Sequence, residues 1–176
     1  KTQLERIYRK QFEILRKKMS NFNHFDQDGN AIMVDISRKE ITERVAVASC
    51  DVLVRAETMA LILKGNIKKG DVLSVARLAG ILGAKKTPDL IPLCHPLALS
   101  SAEIDLRCDE KQNIIEITSR CKINGRTGVE MEALTAVSVA ALTIYDMCKA
   151  VDRGIKITNI RLLEKVGGKS GQWREQ

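Results

Sequence analysis

The sequence predicts an α+β domain: a mostly antiparallel, ferredoxin-like sheet with helices packed on one face, assembled into an oligomer. Three observations predict it. Residues 101–108 and 114–123 alternate apolar and polar side chains on either side of Lys111-Gln112-Asn113, the pattern of an antiparallel hairpin. Helical periodicity before and after that hairpin gives the order strand, helix, hairpin, helix, strand, which is the ferredoxin-like layout. The second of these helices, over residues 129–151, is apolar nearly all round, through Ala133, Val137, Ala140, Ala141, Ile144 and Met147. A domain of this size has little room to enclose such a helix, so a second subunit is expected to cover part of it.

Taken in order, residues 2–18 set Leu4, Ile7, Tyr8, Phe12 and Leu15 at three- and four-residue steps among charges. Residues 1–20 therefore read as a basic amphipathic helix or linker, and 21–176 as the folded domain. The polar stretch 20–30, with Asp28-Gly29 as a turn signal, marks the boundary. Met33-Val34-Asp35 is β-like. Residues 45–54, rich in Val and Ala, predict a strand, and 57–64 a short helix. Residues 71–85 predict a second helix, with Val72, Val75, Leu78, Ala79 and Leu82 on one side. Residues 155–163 predict the last strand, and 166–171 a mobile glycine-rich tail.

The 176 residues suffice for one domain with a sizeable core. With aromatics at 3%, that core must be aliphatic. No continuous apolar run reaches the roughly 20 residues that span a bilayer, and the first residues lack an apolar signal region, so neither membrane nor secretion is expected. Five cysteines, odd in number and never in a C-x-x-C pair, argue against a disulfide framework and a zinc knuckle, and for a reducing compartment. The net charge of +7 suits nucleic acid, an anionic surface or a phosphorylated small molecule. Much of the excess falls in residues 1–18. Aromatics do not interleave with the basic residues, so a stacking platform for single strands is poorly supported.

Pro92-Leu93-Cys94-His95-Pro96 stands out. Each proline fixes its own φ and drives the preceding residue toward an extended backbone, so the imidazole is held in a stiff non-helical segment. This is a site or a turn with a packed histidine. On the long helix, Glu132, Thr135, Val139, Thr143, Asp146 and Lys149 form one stripe. Asp146 and Lys149 stand three apart and can pair. If buried, they either fix helix register or set the pKa and position of a functional lysine. Glu132 and Asp146 are separated by roughly 21 Å of ideal helix, so they cannot both touch one small group. Lys68-Lys69-Gly70-Asp71 before a helix and Lys85-Lys86 at its end suit phosphate. Gly167-Gly168-Lys169-Ser170-Gly171 lacks P-loop spacing, with no helix after it. Together with His95, Asp146 and Lys149, these clusters suggest a polyphosphate pocket.

Lys69-Gly70-Asp71, the segment 90–96, Thr127-Gly128-Val129-Glu130-Met131-Glu132 with its continuation to Thr135, and residues 141–151 stand in an order that resembles the cyclic pyranopterin monophosphate synthase (MoaC) family. The resemblance runs from about residue 22 to 171. It implies conversion of 3′,8-cyclo-7,8-dihydroguanosine triphosphate, made by a radical-SAM enzyme, into cyclic pyranopterin monophosphate with loss of pyrophosphate. It implies a homohexamer, a trimer of dimers with sites between subunits. It implies catalytic roles for Asp146, Lys149 and Lys69, and a pocket lined by Leu93, Cys94 and His95. Glu130, Met131 and Glu132 would meet the pterin end, and Lys85, Lys165, Lys169 and Arg44 the triphosphate. No cofactor is implied; magnesium riding on the triphosphate is compatible. The compartment would be the cytoplasm in a bacterium and the mitochondrial matrix in a eukaryote. The family tail has serine where this chain has Val166, which removes a hydroxyl. Proton transfers by lysine suit the ring rearrangement when desolvation lowers its pKa, and fixed cations suit departing pyrophosphate. A nucleotide- or RNA-binding oligomer without catalysis is the alternative; it leaves Glu130, Glu132 and Asp146 without a role.

Overall fold

The computed structural model describes residues 24–26, 28–65, 71–169 and 171–176. The predicted N-terminal helix, Lys68, Lys69 and Gly70 lie outside the described residues. Strand β1 (Thr42–Leu53) leads to helix α1 (Ala56–Leu63), and α2 (Val72–Lys85) follows, then the single turn α3 (Thr87–Leu90). Strands β2 (Ser101–Asp109) and β3 (Ile114–Gly125) form the hairpin. Helix α4 (Glu130–Cys148) precedes β4 (Lys156–Val166) and the two-residue β5 (Trp173–Arg174). The sheet order is β2-β3-β1-β4-β5, antiparallel throughout. The predicted sequence of strand, helix, hairpin, helix and strand is therefore the one found, including the short helix expected over 57–64, with α3 and β5 added to it.

The hairpin turns where Asn113 takes a left-handed φ of 56°, which asparagine tolerates. The Asp109 carboxylate accepts from the backbone N–H of Lys111 at 2.9 Å and of Gln112 at 3.0 Å, closing the turn. Alternation then sends Ala46, Ala48, Cys50 and Val52 of β1 and Ile115, Ile117 and Cys121 of β3 to one face, all buried in the core. Helix α4 lies on that face. The small Ala46 and Ala48 leave it room, and Ser119 Oγ donates to the Ala133 carbonyl at 2.7 Å. Helix α2 packs beside α4 through Gly80 and Gly83; a Cβ on Gly83 would lie 2.8 Å from Val139 Cγ2. Asp71 caps α2 by accepting from Ser74 N–H at 3.0 Å.

Two expectations are corrected. Residues 32–35 form no strand; there is only an isolated bridge between Phe25 and Ala31, because no sheet edge stands beside them. The glycine-rich tail is a tight reversal: Gly167 N–H donates to Gly171 O and Gly171 N–H to Gly168 O, both at 3.1 Å, and the chain returns as β5. By length and composition α4 is long and apolar enough to cross a membrane, although no continuous apolar run in it reaches that length. It is instead the core helix between the sheet and α2.

Candidate functional site

A cavity of about 360 Å³ opens at the N-terminal end of α4. The turn after α3 supplies Leu93, Cys94 and His95, and the start of α4 supplies Glu130, Met131 and Glu132. Six of the residues singled out in the sequence thus meet in one place. The prolines act as expected: residues 92–96 are non-helical, with Cys94 N–H donating to Ile91 O at 3.1 Å. Cys94 and His95 both line this cavity. His95 Nε2 lies 2.8 Å from the Val34 carbonyl. With the proton on Nε2 as donor, Nδ1 is left as the acceptor.

Glu132 is 3% exposed. Burial pushes its carboxyl above the usual glutamate range; its own backbone N–H offsets part of this, and the charge of Glu130 adds to it. Burial, then the Glu132 charge, likewise raises the Cys94 thiol. Glu130 reaches Lys165 Nζ at 2.6 Å. A side chain on Gly128 would collide with the Glu130 carboxylate, so glycine is what lets Glu130 fold back there. Lys165 is therefore tied to the cavity through Glu130. Arg44 Nε donates to Gly125 O at 3.4 Å, its Cδ lies against Gly167 and its guanidinium against Gly168. Lys169 follows in the exposed tail turn, and Val166 faces Val45 across the strands. Lys85 sits exposed in the last turn of α2, where its charge complements the helix dipole, and does not line the cavity.

Asp146 and Lys149 are at the other end of α4, paired at 2.6 Å as their spacing predicts. The expectation of a buried charged stripe is corrected. Glu132 and Thr135 are buried, but Asp146 and Lys149 are exposed, because at this end of α4 Ile144, Met147 and Cys148 face the core and the charged stripe turns away from it. The Asp146 hydrogen bond, then its charge, holds the Lys149 ammonium above the usual lysine range, the opposite of the expected lowering. Neither residue lines the cavity.

The structure adds cavity residues that sequence reasoning missed. His24, Val34, Ile36 and Lys39 come from the segment before β1, which is pinned over the cavity by His95 and by Arg126 Nε donating to Lys39 O at 2.9 Å. Nothing local marks Lys39 among its charged neighbours. Among the described residues, no group of three or more His, Cys, Asp or Glu is gathered as metal ligands would be.

An α+β domain with a cavity holding a fixed imidazole and a desolvated carboxyl, and a lysine–aspartate pair on the same helix, has the parts of an acid–base enzyme acting on a small molecule. The MoaC family model matches residues 33–168, and the chain belongs to that family. It is 62% identical over 150 residues to a cyclic pyranopterin monophosphate synthase of Rhodospirillum rubrum, covering 85% of this chain and 90% of that one. It is 56% identical to proteins of the same name from Clostridium botulinum (88% and 97% covered) and Thermomicrobium roseum (90% and 95%).

Proposed function

We propose that this chain catalyses the cyclic pyranopterin monophosphate synthase reaction of molybdenum cofactor biosynthesis. It is a lyase that converts 3′,8-cyclo-7,8-dihydroguanosine 5′-triphosphate into cyclic pyranopterin monophosphate and releases pyrophosphate. The observation that carries this reading is the convergence of Leu93, Cys94, His95, Glu130, Met131 and Glu132 on one cavity. Glu132 and Met131 receive the purine-derived end. A desolvated glutamate is suited to the N–H edge of a guanine-like ring, where its charge is matched on binding. Lys165, Lys169 and Arg44 take the triphosphate, Lys165 exchanging Glu130 for phosphate oxygen. Lys85 is a further phosphate contact, supplied from a subunit surface.

Lys149 enters the reaction protonated, held so by Asp146, and gives a proton to the rearranging ring; Lys69 exchanges protons with it as partner acid or base. Departing pyrophosphate carries negative charge, which the fixed cations stabilise. No cofactor is part of this proposal, and a magnesium ion would travel on the triphosphate itself.

The roughly 21 Å of helix between Glu132 and Asp146 supports a site shared between subunits. The cavity of one chain would face the Asp146–Lys149 pair of another in a homohexamer, a trimer of dimers. Exposed Leu78 and Leu82 on α2 and Leu142 on α4 support burial of this helical surface in such an assembly. The substrate comes from a radical-SAM enzyme upstream; the compartment would be the bacterial cytoplasm or the mitochondrial matrix.

The test is turnover of the cyclised guanosine triphosphate by purified protein, with pyrophosphate and the pterin product quantified together. Lys69→Ala, Asp146→Asn and Lys149→Ala are expected to fold and to lose on the order of a hundredfold or more in kcat. Substantial turnover by those variants would overturn their assignments. Tight RNA binding with a steep salt dependence and no turnover would favour the nucleic-acid alternative.

A further inference from the structure

Asp152 lies four residues beyond the end of α4 and is 2% exposed. A buried carboxylate there is costly on two counts, since it leaves water and sits near the negative end of the helix dipole. It is held by donors from a distant part of the chain. Its Oδ2 accepts from Arg55 backbone N–H at 2.8 Å and from Thr58 Oγ1–H at 3.1 Å. Its Oδ1 accepts from Gly154 N–H at 3.1 Å and faces Arg55 Nε at 3.4 Å. Burial pushes the carboxyl upward, but these donors and the Arg55 charge outweigh it, so the group stays ionised across the neutral range.

These contacts close a short stretch that carries Lys149. The Lys149 N–H donates to Tyr145 O at 2.8 Å, and the N–H groups of Val151 and Asp152 both donate to Cys148 O at 2.9 Å. The Arg55 guanidinium donates to Val151 O. The turn ending α4 is thus fastened through one side chain to the junction between β1 and α1. Only two residues, Ala150 and Val151, separate that anchor from Lys149.

We propose that Asp152 is a positioning residue: its carboxylate locks the turn after α4 to the β1–α1 junction and so fixes the Lys149 ammonium against Asp146 at the reacting end of the helix. The role rests on the proposed reaction for its kinetic consequence, though not for its geometry. Asp152→Asn keeps the volume but sets an amide NH2 against a donor on one side. Thr58→Val removes a single donor and keeps the shape, so it tests the same lock with less risk to folding.

The experiment compares wild type, Asp152→Asn and Thr58→Val by two readouts: kcat and KM for the cyclised triphosphate, and the pKa of the Lys149 amine. The latter is followed by NMR of the 13C-methylated protein, with the resonance assigned by Lys149→Arg. Both variants are expected to lower kcat on the order of tenfold to a hundredfold with KM held within about twofold. Both are expected to move the Lys149 pKa down toward that of an unpaired lysine. A Lys149 titration unchanged in both variants would overturn the proposal, whatever the turnover. A wild type without turnover whose Lys149 still responds to the variants would overturn the proposed reaction and leave the positioning role standing.

Discussion

Glu132 is nearly out of water beside a second carboxylate, and its raised pKa has a definite sign for stability. The folded chain prefers the neutral acid. The cost of burying the charge is absent below the unfolded pKa, grows as pH rises through it, and is complete above the folded pKa. Glu132→Gln is therefore expected to raise the thermal midpoint at pH 7 to 8 and to give no gain below about pH 4. Calorimetry at the two pH values checks this; an equal gain at both would contradict it. The same variant should lose turnover. Cys94, whose thiol is raised by burial and by Glu132, is a poor nucleophile. Cys94→Ser should keep kcat within about tenfold. The cavity residues on either side of the prolines and at the start of α4 were legible because local backbone rules and motif order place them. Val34 and Lys39 were not, since they are held at the cavity through contacts with His95 and Arg126, 61 and 87 positions away.

Helices α2 and α4 touch where α2 has no side chains. Gly83 faces the Cβ and Cγ2 of Val139 so closely that an added methyl must displace them. Removing a helix-interior glycine gains about 0.5–1 kcal/mol in helix propensity, and overpacking costs about 1–3 kcal/mol. Overpacking wins, so Gly83→Ala should destabilise the domain by about 1 kcal/mol or more, measured by urea unfolding. The major elements could be read because each has its own period: two across the hairpin, and between three and four along α2 and α4. Residues 32–35 show the limit. Their apolar pattern suits a strand, but pairing needs a neighbour, and here the chain is held by side chains over a cavity. Strand β5 is too short to have a period at all; its pairing with β4 follows from the reversal at Gly167 and Gly168, whose φ values of 103° and 76° only glycine adopts easily.

At the scale of the molecule, the cavity and the Asp146–Lys149 pair sit at opposite ends of one helix. If each working site combines the cavity of one subunit with the Lys149 of another, two inactive variants can repair each other. Purified His95→Ala and Lys149→Ala chains, unfolded together and refolded, should recover about a quarter of the wild-type sites by random pairing. Recovery of none would mean that each chain works alone. The apolar surface of α4 was legible as demanding cover. The exposure of Asp146 and Lys149 was not, because one stripe of α4 is covered at Glu132 and Thr135 and open at its other end, and which elements pack over each end is not encoded in any local pattern.

The pairing of β5 with β4 puts Trp173 directly across from Lys165, the residue that Glu130 holds beside the cavity. It is the sole tryptophan of the chain, and the residue is 45% exposed. An indole at a water boundary changes its emission when its hydration changes. The unlabelled protein thus has a built-in optical gauge of its own occupancy: pyrophosphate drawing Lys165 away from Glu130 should shift the fluorescence, and Lys165→Ala should silence that response.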